Sequence, residues 1–219
     1  SEEYLNFAGR DYLDLAFDTR LIKAGHTAAL RWGAGSGSSR AGSGNLELYQ
    51  SLEKELAKHM HAHAAFLFSS GVQALESAVR ASAGKGERIF ADDFCGESVR
   101  EACVFTGGFF STFKHHDARD LEKLLAESRE KEKLVVVEGI SGADGAFAPL
   151  RDITEAAERH GAKVILEDTS AAGVAGPNGG GSLDHFNMRP RDVYALTSGM
   201  GAAFGSGGGF VCSESSLID

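Results

Sequence analysis

No lysine follows Lys163, so the stretch beyond it holds no side-chain amine for covalent chemistry. Cysteine is scarce as well. Cys95, Cys103 and Cys212 are odd in number and lack metal or redox spacing, which points to free, buried thiols in a reducing compartment. No apolar run nears the roughly 18 residues of a membrane span. The opening Ser1-Glu2-Glu3-Tyr4-Leu5-Asn6-Phe7 has neither the basic nor the apolar region of a signal peptide. These residues by themselves predict a soluble chain. Clusters of Lys and Arg are missing, and with a formal net charge of -9 this argues against nucleic acid as the main ligand.

What is present is an ordinary globular composition. The 219 residues, 42% hydrophobic and 24% charged, suffice to fill one large domain with a sizeable core. Residues 21–32 carry Leu21, Ile22, Ala28 and Trp32 at helical spacing, and glycine and serine break regular structure over residues 33–44. Leu46, Leu52 and Leu56 give residues 45–60 the period of a surface helix. Short apolar strands are predicted at 64–68, 88–91, 110–114, 134–137, 164–166, 193–196 and 209–212. Helices are predicted at 72–83, 98–104, 118–128 and 150–160. Strands alternating with helices indicate βαβ units, and the run Leu134-Val135-Val136-Val137 suits a strand buried on both faces. The prediction is a three-layer α/β/α domain with a mostly parallel sheet. The charged residues 127–133 read as a solvated helix end and loop.

Four constellations sit where such sheets bind ligands, at strand ends. Ser69-Ser70-Gly71-Val72 joins a strand to a helix start, where free N–H groups and the helix dipole hold a phosphate or a serine simply caps the helix. Glu167 and Asp168 end another strand, as a partner for a protonated ring nitrogen or as structural caps. Asp92, Asp93 and Glu97 follow a third strand. No histidine or second cluster is placed along the sequence to complete a cation site, so capping is expected there and no metal. Last, residues 192–212 form an apolar strand, a glycine-rich turn and another apolar run. That is the layout of a segment that aims a lysine at the aldehyde of pyridoxal phosphate (PLP), with the lysine missing.

In this order the segments resemble the α-oxoamine synthase group of fold-type I PLP-dependent transferases. The resemblance runs through Leu5-Asn6-Phe7, Gly33-Ala34-Gly35-Ser36, Arg40, Gly44, Leu52-Glu53, Ser70-Gly71, Val137-Glu138-Gly139, Gly145, Pro149-Leu150 and Gly173-Val174. Within the group, Phe113-Lys114-His115-His116-Asp117, Leu166-Glu167-Asp168, Met200, Ala203, Ser206 and Gly208-Gly209-Phe210 are similar to the lysine-lacking subunits of serine palmitoyltransferase. The resemblance implies an N-terminal arm and glycine-rich interface loop over residues 1–45 and a PLP-transferase-like large domain over 46–219. The family's small C-terminal domain would lie beyond that. It places the family's cofactor positions on Ser70, Gly71, Val72, Gly96, Glu167, Ser170 and Ala202. Several are degenerate: Ala202 stands at the Schiff-base lysine, Gly96 at the ring-stacking histidine, Glu167 at the pyridine-nitrogen aspartate, Ser170 at a second histidine and Tyr49 at a third. No residue of this chain is then assigned a catalytic role.

What the resemblance implies in function is a division of labour. A catalytic, lysine-bearing serine palmitoyltransferase subunit would carry the PLP and condense L-serine with palmitoyl-CoA to 3-ketodihydrosphingosine, in sphingolipid synthesis. This chain would pair with it as a heterodimer on the cytosolic face of the endoplasmic reticulum membrane, with loop 33–44 and turn 93–97 near the interface. The alternatives are an active α-oxoamine synthase, which needs another lysine, and a degenerate PLP fold kept as a scaffold.

Overall fold

The computed structural model describes residues 4–83 and 86–218. Residues 1–3, part of the opening weighed above against a signal peptide, residues 84–85, and residue 219, the last of the expected large domain, lie outside them. Seven strands form one sheet: β1 (Ala64–Phe68), β2 (Arg88–Asp92), β3 (Phe109–Phe113), β4 (Lys133–Glu138), β5 (Ala162–Glu167), β6 (Ala195–Gly199) and β7 (Gly209–Ser213). Their order is β1-β7-β6-β5-β4-β2-β3, and only β7 runs against its neighbours. The helices are α1 (Thr19–Trp32), α2 (Glu47–His59), α3 (Gly71–Ser82), α4 (Glu97–Val104), α5 (Ala118–Glu127), α6 (Leu150–Arg159), α7 (Gly181–His185) and α8 (Ser215–Ile218).

Alternation along each strand builds two cores, one on each face of the sheet. Val135 and Val137 of β4 face Leu121 and Leu125 of α5 and Ile153 of α6. Leu134 and Val136 face the other way, into the cluster with Leu75 and Val79 of α3 and Val99 of α4. This is the three-layer α/β/α sandwich with a mostly parallel sheet that the periodicity predicts. Among the described residues, no helix is long and apolar enough to cross a membrane.

Three local expectations are corrected. The strand expected at 193–196 begins at Ala195, because a 3-10 turn over Pro190–Asp192 takes the Val193 N–H onto the Pro190 carbonyl at 3.2 Å. Helix α7 was not foreseen. Its five residues sit in a glycine-rich loop and carry no apolar period. The charged stretch 127–133 is not simply solvated: Arg88 donates to Glu130 Oε1 at 2.8 Å and Ser128 donates to Glu130 Oε2 at 2.7 Å. These bonds hold the Glu130 carboxyl down to about 2.

Loop 33–44 is fastened at Arg40. Its guanidinium donates two bonds to the Glu53 carboxylate, at 2.5 and 2.9 Å, and lies 4.1 Å over the Phe66 ring. Glu53 Oε1 also accepts the Leu67 N–H at 2.9 Å. Loop, α2 and β1 thus meet on one carboxylate. Arg40→Ala strands Glu53, whose side chain is only 13% exposed, and is expected to cost about 2 kcal/mol, read as a lowered urea midpoint. An unchanged midpoint would reduce the contact to a surface pair.

Candidate functional site

The carboxyl ends of the strands open into a cavity of about 640 Å³. The turn after β1 supplies Ser70, Gly71 and Val72, and the turn after β2 supplies Phe94, Cys95 and Gly96. Glu138 ends β4, Glu167 ends β5 with Thr169 and Ser170 beyond it, and Gly199 ends β6. Six of the seven positions that the resemblance assigned therefore line one cavity. Ala202 does not line it. It is 2% exposed, and its carbonyl accepts the Tyr12 N–H at 3.0 Å, so the N-terminal arm lies against the glycine-rich turn.

Of the two readings of Ser70, the cap is seen, and it leaves room for the other. Its hydroxyl accepts the Gln73 N–H at 3.1 Å, which caps α3. The Gly71 and Val72 N–H groups, in the first turn, are left for an anion at the positive end of the helix. Close packing places them: a Cβ on Gly209 would lie 2.5 Å from the Ser70 carbonyl oxygen and 2.6 Å from the Gly71 Cα. Backbone meets backbone there, with no side chain free to yield. Gly209→Ala is expected to cost about 3 kcal/mol, a drop in melting temperature of roughly 6–12 °C. A melt equal to that of the parent would show that β7 and α3 can part freely.

The register pairs Glu138 directly with Glu167, so two carboxylates stand side by side on the cavity floor. Thr169 links Glu167 to the next strand. Its hydroxyl donates to Glu167 Oε1 and accepts the Gly199 N–H at 2.8 Å. Burial pushes Glu167 up to about 7, with the neighbouring Glu138 charge adding and the Thr169 bond opposing. Glu138 is also raised, by burial, against a 3.1 Å bond from the Gly96 N–H. Asp168 points away from the cavity. Fully buried, it accepts the Ser182 N–H at 2.9 Å and the Ser182 hydroxyl at 2.5 Å, a structural role.

Sequence reasoning assigned no cavity role to Glu138, Thr169 or Arg10. The first was legible, since the runs ending Val137-Glu138 and Leu166-Glu167 share one pattern. Arg10 enters from the N-terminal arm and no local signal marks it. Of the three thiols, Cys103 and Cys212 are buried as expected, whereas Cys95 is half-buried on the cavity wall. Burial pushes Cys95 up to about 11, which leaves it a poor nucleophile. The expectation of no histidine near Asp92 is also corrected: His115 Nδ1 lies 2.8 Å from its carboxylate.

A helix N-terminus and a strand-end carboxylate facing one crevice of an α/β/α sheet are the arrangement in which such sheets hold a phosphorylated ligand, and PLP-type transferases are one class built this way. The family model for aminotransferase class I and II matches residues 2–219, and the chain belongs to that family, among its α-oxoamine synthases. An 8-amino-7-oxononanoate synthase from Anaeromyxobacter sp. (strain Fw109-5) is 38% identical over 98% of this chain and 54% of its own length. One from Methylococcus capsulatus is 37% identical over 98% and 56%. Among solved structures, Sphingomonas wittichii serine palmitoyltransferase superimposes with a TM-score of 0.90 at 28% identity, covering 94% of this chain and 52% of that one. A lysine-to-alanine variant of the S. paucimobilis enzyme, with bound PLP-myriocin aldimine, gives 0.89 at 29% over the same shares. The chain spans about half the length of the curated relatives it matches.

The side chains fit PLP only in its non-covalent half. The α3 N-terminus suits a phosphate, and Glu167 is the cavity carboxylate that would face a ring nitrogen. Among the described residues no lysine lines the cavity, and Gly96 brings no ring to stack on a pyridine. A covalently held cofactor does not fit, and no step through it is assigned to this chain.

Proposed function

We propose that this chain is the non-catalytic subunit of a serine palmitoyltransferase. It would support a lysine-bearing partner that condenses L-serine with palmitoyl-CoA to 3-ketodihydrosphingosine in sphingolipid synthesis. The observation that carries the reading is a well-formed cavity whose lining, among the described residues, holds no lysine, with Ala202 at the position that the resemblance gives to the Schiff-base lysine. PLP belongs on the partner in this reading, where it acts as the electron sink for carbanion chemistry. A surface for pairing supports it. Helix α1 buries none of its residues, and Phe7, Phe17 and Leu30 are 92%, 81% and 79% exposed. Apolar exposure on that scale marks an interaction surface. A two-fold pairing of similar folds lets one chain close the other's pocket. Residence at the cytosolic face of the endoplasmic reticulum follows from the same reading.

The identity to 8-amino-7-oxononanoate synthases favours a second reading, an active synthase. It needs a lysine, and the last one in the chain, Lys163, lies near the start of β5. That is roughly 13 Å of strand from Glu167, with the Lys163 amine set over the Tyr194 ring. The test is condensation of L-serine with palmitoyl-CoA by the chain alone and co-expressed with a lysine-bearing family subunit. Activity and co-purification only in the pair support the subunit. Activity alone would establish the synthase, and failure to pair would leave a scaffold.

A further inference from the structure

Outside the cavity wall, the parallel pairing of β2 and β3 sets Asp92 opposite Phe113, so the turn that follows brings His115 and His116 over Asp92. Asp92 is buried, and its carboxylate is held in place by two backbone donors. The Phe94 N–H reaches Oδ1 at 2.8 Å and the His116 N–H reaches Oδ2 at 2.9 Å. His115 presents Nδ1 to Asp92 Oδ1 at 2.8 Å, while Nε2 meets Asp144 Oδ2 at 3.2 Å. The His116 ring stacks on that of His115 with centroids 3.8 Å apart. Its ring nitrogens have no hydrogen-bond partner among the described residues. His116 also keeps a left-handed backbone, φ 54°, a conformation that costs a non-glycine residue energy.

We infer that Asp92, His115 and His116 form a zinc site, a role independent of the subunit reading. One ligand atom from each lies within 4.8 Å of the others. Two imidazole nitrogens and a carboxylate oxygen, with water in the open position, are a donor set that Zn2+ takes readily. Asp144 on the far nitrogen of His115 reproduces the carboxylate that orients a metal-bound imidazole. Ligand atoms around tetrahedral zinc sit about 3.3 Å apart, so binding opens the 2.8 Å contact between His115 Nδ1 and Asp92 Oδ1 slightly and swings the His116 ring off its neighbour toward the ion. The ion would join the turns after β2 and β3 to the Asp144 loop. Phe94, whose ring packs 5.2 Å from that of His115, and Ala143 line the cavity, so occupancy would stiffen one of its walls.

The experiment is calorimetric titration of the metal-stripped chain with ZnCl2 at neutral pH, followed by visible spectra with Co2+. One equivalent is expected to bind, with the Co2+ absorption of a tetrahedral site. His116→Asn, which keeps a residue tolerant of the left-handed backbone, should weaken binding at least 100-fold with an unchanged metal-free melt. Asp144→Asn should weaken it by roughly 10–100-fold. His26→Asn, on exposed α1, should change nothing. No saturable binding, or binding of equal strength in His116→Asn, would overturn the site.

Discussion

Replacing the partner's Schiff-base lysine is expected to abolish condensation by the pair, by roughly 10³-fold or more, while Ala202→Gly in this chain leaves the rate unchanged. The asymmetry follows from where Ala202 sits. Its methyl group does not line the cavity, and its carbonyl is engaged by Tyr12, so nothing at this position reaches a reacting atom. The cavity offers no replacement. Cys95 is held protonated by burial, and Glu138 and Glu167 are both raised by burial. For the same reason Ala202→Lys is expected not to make this chain an enzyme by itself, because position 202 is buried and does not line the cavity. The assay is product formation from L-serine and palmitoyl-CoA by the purified pair, with each substitution made in one subunit at a time. A rate that falls with Ala202→Gly would place this chain in the chemistry and sink the proposal.

The second large effect concerns stability against pH. Asp168 ionises near 3.8 in an unfolded chain, and burial pushes it up to about 7 in the fold despite the two bonds from Ser182. Below the unfolded value both states hold the proton, and the contribution is fully present. Between the two values only the folded state holds it, so stability falls as pH rises, by about 1.4 kcal/mol per unit. Past about 7 the contribution is lost. From pH 5 to 7 the unfolding free energy should drop by roughly 2 kcal/mol from Asp168, with Glu167, also raised to about 7, acting in the same direction. Urea midpoints at pH 5, 6, 7 and 8 measure it. Asp168→Asn should remove its share of the slope, leaving that of Glu167, and raise the midpoint at pH 8. An amide oxygen still accepts the Ser182 N–H, and the amide N–H can donate to the Ser182 oxygen. A parent midpoint that climbs with pH would contradict this account.

Much of this was legible before any coordinates. Alternating apolar runs and helical periods predict the layers, because burial on two faces leaves its mark on every second residue, as Leu134 and Val136 against Val135 and Val137 show. Ser70 could be read as a cap because capping is local, its hydroxyl reaching only three residues on. Glu167 was legible as the polar end of a buried strand. The cluster at Asp92 was not: His115 and His116 lie more than twenty residues away along the chain and arrive through strand pairing. Arg10 was hidden likewise, since it reaches the cavity from the far end of the sequence.

The sequence by itself therefore determined the fold class, the missing amine and the residues at each strand end, all of which depend on composition or on neighbours a few positions apart. Only the tertiary structure decided that Glu138 faces Glu167, that Asp168 turns inward to Ser182 while Glu167 lines the cavity, and that two histidines stand over Asp92. Those facts depend on strand order and register. The alternating apolar pattern sets which face each residue takes, but which strands become neighbours is decided only when the two cores close on both faces of the sheet.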